Sequence, residues 1–133
     1  MKYLLDTNIC IYIIKKKPEQ VFQKLEKLHP DEVGISSITL SELHYGIQKS
    51  ADPQKNETAL ARFLTPLQVL DFDASDAIIY GEIRAGLEKA GTPIGPLDTL
   101  IGAQAVSKGL ILVTNNEKEF QRIPKISLEN WSL

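Results

Sequence analysis

Two short apolar runs stand near the ends of the chain. Lys2-Tyr3-Leu4-Leu5 stops at Asp6, and Leu110-Ile111-Leu112-Val113-Thr114 is opened by Gly109 and closed by Asn115-Asn116. Both are apolar at successive rather than alternate positions, which suits strands buried on both faces of a parallel sheet. Val33–Ser36 and Gln68–Asp71 are shorter candidates for the same sheet. Between these runs the apolar period lengthens to that of helices. Pro18 opens one helix with Val21, Phe22, Leu25 and Leu28 on a face. Thr39 to Lys49 reads as a second, with Leu40, Leu43 and Ile47 inward, and Pro53 opens a third carrying Leu60, Phe63, Leu64 and Leu67. Asp73 or Ser75 caps a fourth with Ile79, Ile83 and Leu87 in register, ended by Gly91. Asp98 opens a fifth with Ile101, Ala105 and Val106, ended by Gly109. Ile9 to Ile14 is β-branched enough for a strand, but β-α alternation requires a helix from Thr7 or Asn8, and a helix is the reading adopted. The order β-α-α-β-α-α-β-α-α-β predicts an α/β fold with a central, twisted parallel sheet of four or five strands flanked by helices.

Composition narrows the classes. The 133 residues make one domain over 1–133 the expectation, and 43% hydrophobic with 24% charged residues excludes a disordered chain. Cys10 is the single cysteine, which rules out an internal disulfide or a zinc ribbon and suits a reducing cytoplasm. The longest apolar run, Ile9 to Ile14, falls far short of the ~20 residues of a membrane span. The formal net charge is -2, so any contact with a nucleic-acid backbone must come from a local basic patch or through metal ions.

The acids carry the chemical signal. In an open parallel sheet the ligand site lies outside the carboxyl ends of the strands. Asp6 ends the first strand, and Asn115 and Asn116 end the Leu110 strand with Glu119 one turn on. Glu42 is early on the helix after Val33–Ser36, and Asp98 starts the helix leading into the Leu110 strand. Carboxylates within ~4–6 Å repel and raise at least one pKa unless a cation neutralises them. Hard oxygen donors of this kind suit Mg²⁺ or Mn²⁺ and point to metal-assisted phosphodiester hydrolysis.

Four segments carry a resemblance over essentially the whole chain. Leu4-Leu5-Asp6-Thr7-Asn8, the stretch Ser37 to Gly46, the stretch Gly95 to Ala103 with Asp98 inside it, and Val113 to Phe120 resemble, in order and spacing, the motifs of PIN-domain nucleases of the VapC toxin group. Phe120 to Pro124 and Glu129-Asn130-Trp131 are similar to that group as well. The resemblance implies a PIN fold and a Mg²⁺- or Mn²⁺-dependent endoribonuclease. Asp6, Glu42 and Asp98 match its most regular acidic positions. A fourth position, acidic in many PIN domains, is Asn116 here, and Glu119 matches another commonly acidic one. The implied catalytic set is therefore Asp6, Glu42, Asp98 and Glu119, with Asp6, Asp98, Glu42 and Asn116 as metal ligands. Thr7, Asn8 and Asn115 would orient them from behind. The group also implies a VapB-type antitoxin whose C-terminal segment lies in the active-site groove, a homodimer, higher assemblies that touch DNA through the antitoxin, and a structured RNA substrate, tRNA and within it the initiator tRNA anticodon region. The apolar surface near Val21–Leu28 and Leu60–Leu67 is expected to serve such contacts.

Simpler roles exist for each residue. Asp6 and Asp98 suit helix caps, and Glu42 suits a solvated first turn. Lys15, Lys16, Lys17, Lys118 and Arg122 are candidate RNA contacts, although most such charges are only solvated. His29 reads as a surface residue, His44 as a side chain beside the site, Cys10 as core and Trp131 as a packing anchor. A signalling receiver would need adjacent acids after the first strand, and a haloacid-type phosphatase an Asp at position 8, where Asn8 stands. A PIN domain that binds RNA or protein without cutting is the remaining alternative.

Overall fold

The computed structural model describes residues 1–133. β1 (Tyr3–Leu5) is followed by α1 (Thr7–Lys15), α2 (Glu19–Glu26), a 3-10 turn at Pro30–Glu32 and β2 (Val33–Ser36). Then come α3 (Ser37–Lys49), α4 (Pro53–Leu64), β3 (Gln68–Leu70), α5 (Ala74–Lys89) and α6 (Pro96–Lys108). β4 (Ile111–Val113), α7 (Glu117–Phe120) and β5 (Ser127–Glu129) close the chain. The sheet is five-stranded, ordered β3-β2-β1-β4-β5, and every neighbouring pair is parallel.

The successive apolar residues of the central strands are buried on both faces, as their pattern requires. Leu5, Val33, Ile35 and Val113 pack with Ile9, Ile13, Val21, Leu43, Ile47 and Leu60 of α1 to α4. Leu4 and Leu112 face the other way, against Ile83, Leu87, Ile101 and Ala105 of α5 and α6 and Phe120 of α7. The helix at Ile9 to Ile14 forms because Asp6 caps it. The Asp6 backbone is extended, and its Oδ1 accepts from Ile9 N at 2.9 Å.

Several boundaries differ from the sequence reading. α3 starts at Ser37, two residues before Thr39, because the Ser36 hydroxyl accepts from Ile38 N at 3.0 Å and caps the helix there. α6 starts at Pro96 with Gly95 before it, so Asp98 lies inside the first turn and is not the cap. Proline tolerates that first position because its missing N–H would go unused there. Asp73, not Ser75, caps α5 in a reciprocal box with Asp76. The fifth strand, β5, has half-exposed positions and pairs only with β4, so it lacks the apolar run that marks a central strand. The stripes of α2 and α4 turn inward and are only partly exposed. Val21 and Leu60 are buried, and Phe22, Leu25, Leu28, Phe63, Leu64 and Leu67 pack against the same core.

One polar cluster escaped the sequence reading. Lys108 at the end of α6 pairs with Asp73 and stands 3.4 Å from the fully buried Asp76 at the start of α5. Gln104, one turn earlier, is also fully buried, and its Nε2 donates to the carbonyls of Leu70 and Asp71 at 3.2 Å each. These bonds fasten the β3–α5 connection to α6.

Gly102 is where α6 meets the segment after α7. A Cβ there would stand 2.5 Å from Ile123 Cδ1 and 3.5 Å from Phe120, both buried. Gly102→Ala is expected to lower stability by about 1–3 kcal/mol through overpacking. Gly46→Ala, with nothing within 4 Å of its Cβ inside α3, is expected to raise it by about 0.5–1 kcal/mol through helix propensity. Denaturant unfolding of the two variants beside the wild type checks both signs.

Candidate active site

β1 is the middle strand, and the chain leaves it in one direction to β2 and β3 while β4 and β5 lie on the other side. The carboxyl edge beside β1 is therefore a topological switch point, where crossovers diverge and leave a crevice. Asp6 sits there, 5% exposed. Its N–H donates to Val113 O at 3.0 Å, which fixes it at the β1–β4 seam. Its carboxylate takes hydrogen bonds from Ile9 N and from the Thr114 side chain. Asp6 is thus a cap and a candidate ligand at once, since one oxygen serves Ile9 and the group still faces other acids.

Those acids come from three other elements. Burial pushes the Asp6 carboxyl up to about 6, against the pull of its two hydrogen bonds, and the charges of Asp98 and Glu42 push in the same direction. Asp98, half-buried in the first turn of α6, is also raised, first by burial and then by Glu42 and Glu119. Asp6, Glu42, Asp98 and Glu119 therefore share one field. No three of them close round a single point, so they are neighbours through charge rather than a ready-made cage.

Side-chain hydrogen bonds brace the site. Thr7 Oγ1 donates to Glu42 Oε1 at 2.7 Å, tying α1 to α3, and lies 3.4 Å from the buried Thr39 hydroxyl. Asn116 Nδ2 donates to Glu119 Oε2 at 3.2 Å, and Asn116 N donates to Thr114 Oγ1 at 2.9 Å. Asn115 Nδ2 donates to Tyr12 Oη at 2.7 Å. Thr114, Thr39 and Tyr12 are site residues that sequence reading did not single out. A buried threonine at a strand end leaves no signal separate from strand propensity, and Tyr12 is hidden in the apolar run of α1.

Other expected residues fall differently. Asn8 is exposed on the first turn of α1 and touches none of the four acids through a hydrogen bond. Arg122 is exposed, and its Nη1 donates to Pro93 O at 3.1 Å and braces the segment before α6. Lys16 ends α1 in the left-handed region, with its ammonium 5.1 Å from the Phe22 ring centre. Lys15, Lys17 and Lys118 are exposed. Lys15 lines, with Glu42, an apolar cleft of about 270 Å³ between α1, α3 and α4. His44 is exposed on α3, and His29 Nδ1 accepts from Asp31 N in the turn before β2. Cys10 is fully buried and its thiol is pushed well above its usual range by burial, so it stays protonated core.

A five-stranded parallel sheet whose switch point collects acids from four elements defines the class as a PIN domain, and the family model of that description matches residues 3–126. The tRNA(fMet)-specific endonuclease VapC of Salmonella typhimurium is 48% identical over 131 residues, 98% of each chain. Ribonuclease VapC2 of Rickettsia felis is 47% identical over 132 residues, again 98% of each. The solved structure of VapBC2 from Rickettsia felis, bound to a DNA fragment from its promoter, superposes with a TM-score of 0.93 at 46% identity over 98% of this chain and 99% of that one. The chain belongs to the VapC group of the PIN-domain family. No helix is long and apolar enough to cross a membrane.

The raised Asp6 carboxyl has a consequence for stability. A carboxyl with a folded pKa near 6 and an ordinary value of 3.8 binds its proton more tightly when folded. Its contribution is favourable at low pH and is lost as pH rises from about 4 to about 6. Asp6→Asn keeps the cap, because an amide oxygen also accepts from Ile9 N, and removes the charge. In chelator, the variant is expected to match the wild type near pH 4 and to exceed it by about 2–3 kcal/mol above pH 6.5. Chemical denaturation across that pH range measures the difference.

Proposed function

We propose that this protein is an endoribonuclease toxin that uses Mg²⁺ or Mn²⁺, cuts structured RNA of the tRNA class, and is silenced by a VapB-type antitoxin. The observation that carries the reading is the buried Asp6 carboxylate at the switch point, raised by its burial and by the facing charges of Asp98 and Glu42. A group in that position is most stable beside a cation or a proton.

The donor set fits a hard divalent ion. Asp6, Glu42, Asp98 and Glu119 offer carboxylate oxygens, and Asn116 offers an amide oxygen because its Nδ2 is engaged by Glu119. When bound, the ion supplies Lewis acidity that activates water at neutral pH and offsets charge on the phosphate in transit. The chain's own contribution is orientation. Thr114 and Ile9 N hold Asp6, Thr7 holds one oxygen of Glu42 and leaves the other free, and Asn116 holds Glu119. Lys15, Lys17 and Lys118 would meet flanking phosphates, adding the local attraction that a net charge of -2 does not supply. His29 and His44 lie on separate, exposed elements, so no imidazole pair serves a 2′-hydroxyl. Attack by water leaves a 5′-phosphate and a 3′-hydroxyl.

The names of relatives support the finer substrate. The Salmonella typhimurium protein and one from Shigella flexneri, 46% identical over 132 residues, are both called tRNA(fMet)-specific endonuclease VapC. Initiator tRNA, cut in its anticodon region, is the proposed target. Solved VapBC complexes of relatives, two of them with DNA, support an antitoxin partner that reaches DNA; a toxin homodimer within that assembly is part of the same proposal.

The test is incubation of purified total tRNA with the antitoxin-free protein, with and without Mg²⁺ or Mn²⁺, beside Asp6→Asn. The wild type is expected to release discrete initiator tRNA fragments only with metal, and the variant at least 100-fold fewer. Folded protein that cuts no RNA under either metal would sink the nuclease reading. Cuts elsewhere with initiator tRNA intact would sink only the substrate.

A further inference from the structure

Tyr12 touches none of the four acids, yet it is bonded to the segment that holds two of them. It stands five residues beyond Thr7 on α1, half-buried, with its ring against the core that holds Tyr3 and Trp131. Its hydroxyl accepts from Asn115 Nδ2 at 2.7 Å. The bond spans 103 residues of sequence and closes α1 onto the carboxyl end of β4. Asn115 lies between Thr114, which holds Asp6, and Asn116, which holds Glu119.

We propose that Tyr12 is a positioning residue that commits the amino end of the Asn115 amide, leaving its carbonyl oxygen to receive a ribose hydroxyl of the bound RNA. The inference rests on the nuclease reading above and names the feature of the substrate that this corner of the site recognises.

The chemistry follows from what each group can donate. A side-chain amide has two donors at one end and an acceptor at the other. With the nitrogen held by Tyr12, the oxygen is the end left for a substrate. A phosphodiester offers only acceptors along the backbone, so a carbonyl oxygen gains nothing from it. The ribose 2′-hydroxyl is the backbone donor that RNA has and DNA lacks. A fixed carbonyl on the residue between Thr114 and Asn116, which hold Asp6 and Glu119, therefore favours RNA over DNA, which the acids alone do not. A tyrosine suits the task because its ring is locked by packing and loses little freedom when the hydroxyl bonds.

The test compares binding in chelator, where no cutting intervenes. The probe is an initiator tRNA anticodon stem-loop, against the same stem-loop with deoxyribose throughout the loop. The wild type is expected to prefer the all-ribose form. Tyr12→Phe keeps the ring, should melt within about 2 °C of the wild type, and is expected to lose about fivefold of that preference, the worth of one hydrogen bond. Asn115→Ala should lose the same, and the double variant no more, since both remove one contact. Equal binding of the two probes by the wild type, an unchanged preference in Tyr12→Phe, or additive losses would each overturn the proposal. Metal-dependent cutting of tRNA by the same wild-type preparation would leave the nuclease reading standing in that case, and its absence would sink that reading separately.

Discussion

A carboxylate buried at the end of the central strand is the constraint from which the rest of the arrangement follows. Asp6 lies where solvent can do little for a charge, and the protein answers with two hydrogen bonds, from Ile9 N and from Thr114. Those bonds do not offset burial and the facing acids, because the carboxyl still titrates near 6. Asp6 therefore stays a poised anion. Its surroundings are rigid because the same residue also starts α1 and continues the β1–β4 ladder through its own N–H.

The sheet order makes this placement possible. With β1 in the middle, the elements after β2 and β4 reach the crevice from opposite sides, and α6 contributes Asp98 from above. Each strand supplies only three or four residues, so alignment depends on the two apolar layers that clamp the sheet. The α5–α6 layer is closed at the end away from Asp98 by Lys108 with Asp73 and Asp76, and by Gln104 on the β3–α5 connection. Arg122 on Pro93 O braces the segment from which Asp98 emerges. These polar fasteners hold an acidic edge whose own charges repel.

The parts of the site differ in how firmly they are tied. Glu42 and Glu119 are each held by a single short polar partner, Thr7 and Asn116, at half-exposed positions. Asp98 has no comparable tether in its helix turn, where Gly95 provides no side-chain cap. The acidic edge therefore combines one anchored acid with three that are less firmly tied.

The sequence by itself determined the elements whose physics is local. Apolar runs marked β1 to β4, helical periods marked α2 to α6, and the β-α alternation required a helix from Thr7 or Asn8 where α1 stands. The acids were legible as candidates because Asp6, Asp98 and Glu119 fall at or near element ends and Glu42 lies early on the helix after β2. Their partnership was not legible. That Asp6 faces Asp98 and Glu42, that Thr114 props Asp6, and that Tyr12 grips Asn115 across 103 residues depend on strand order and on which way each helix crosses. The same holds for the bond of Arg122 to the Pro93 carbonyl and for the solvent exposure of Asn8. Local propensity acts over a few residues, whereas electrostatic coupling acts over a few ångströms of space, and only the packed sheet converts one into the other.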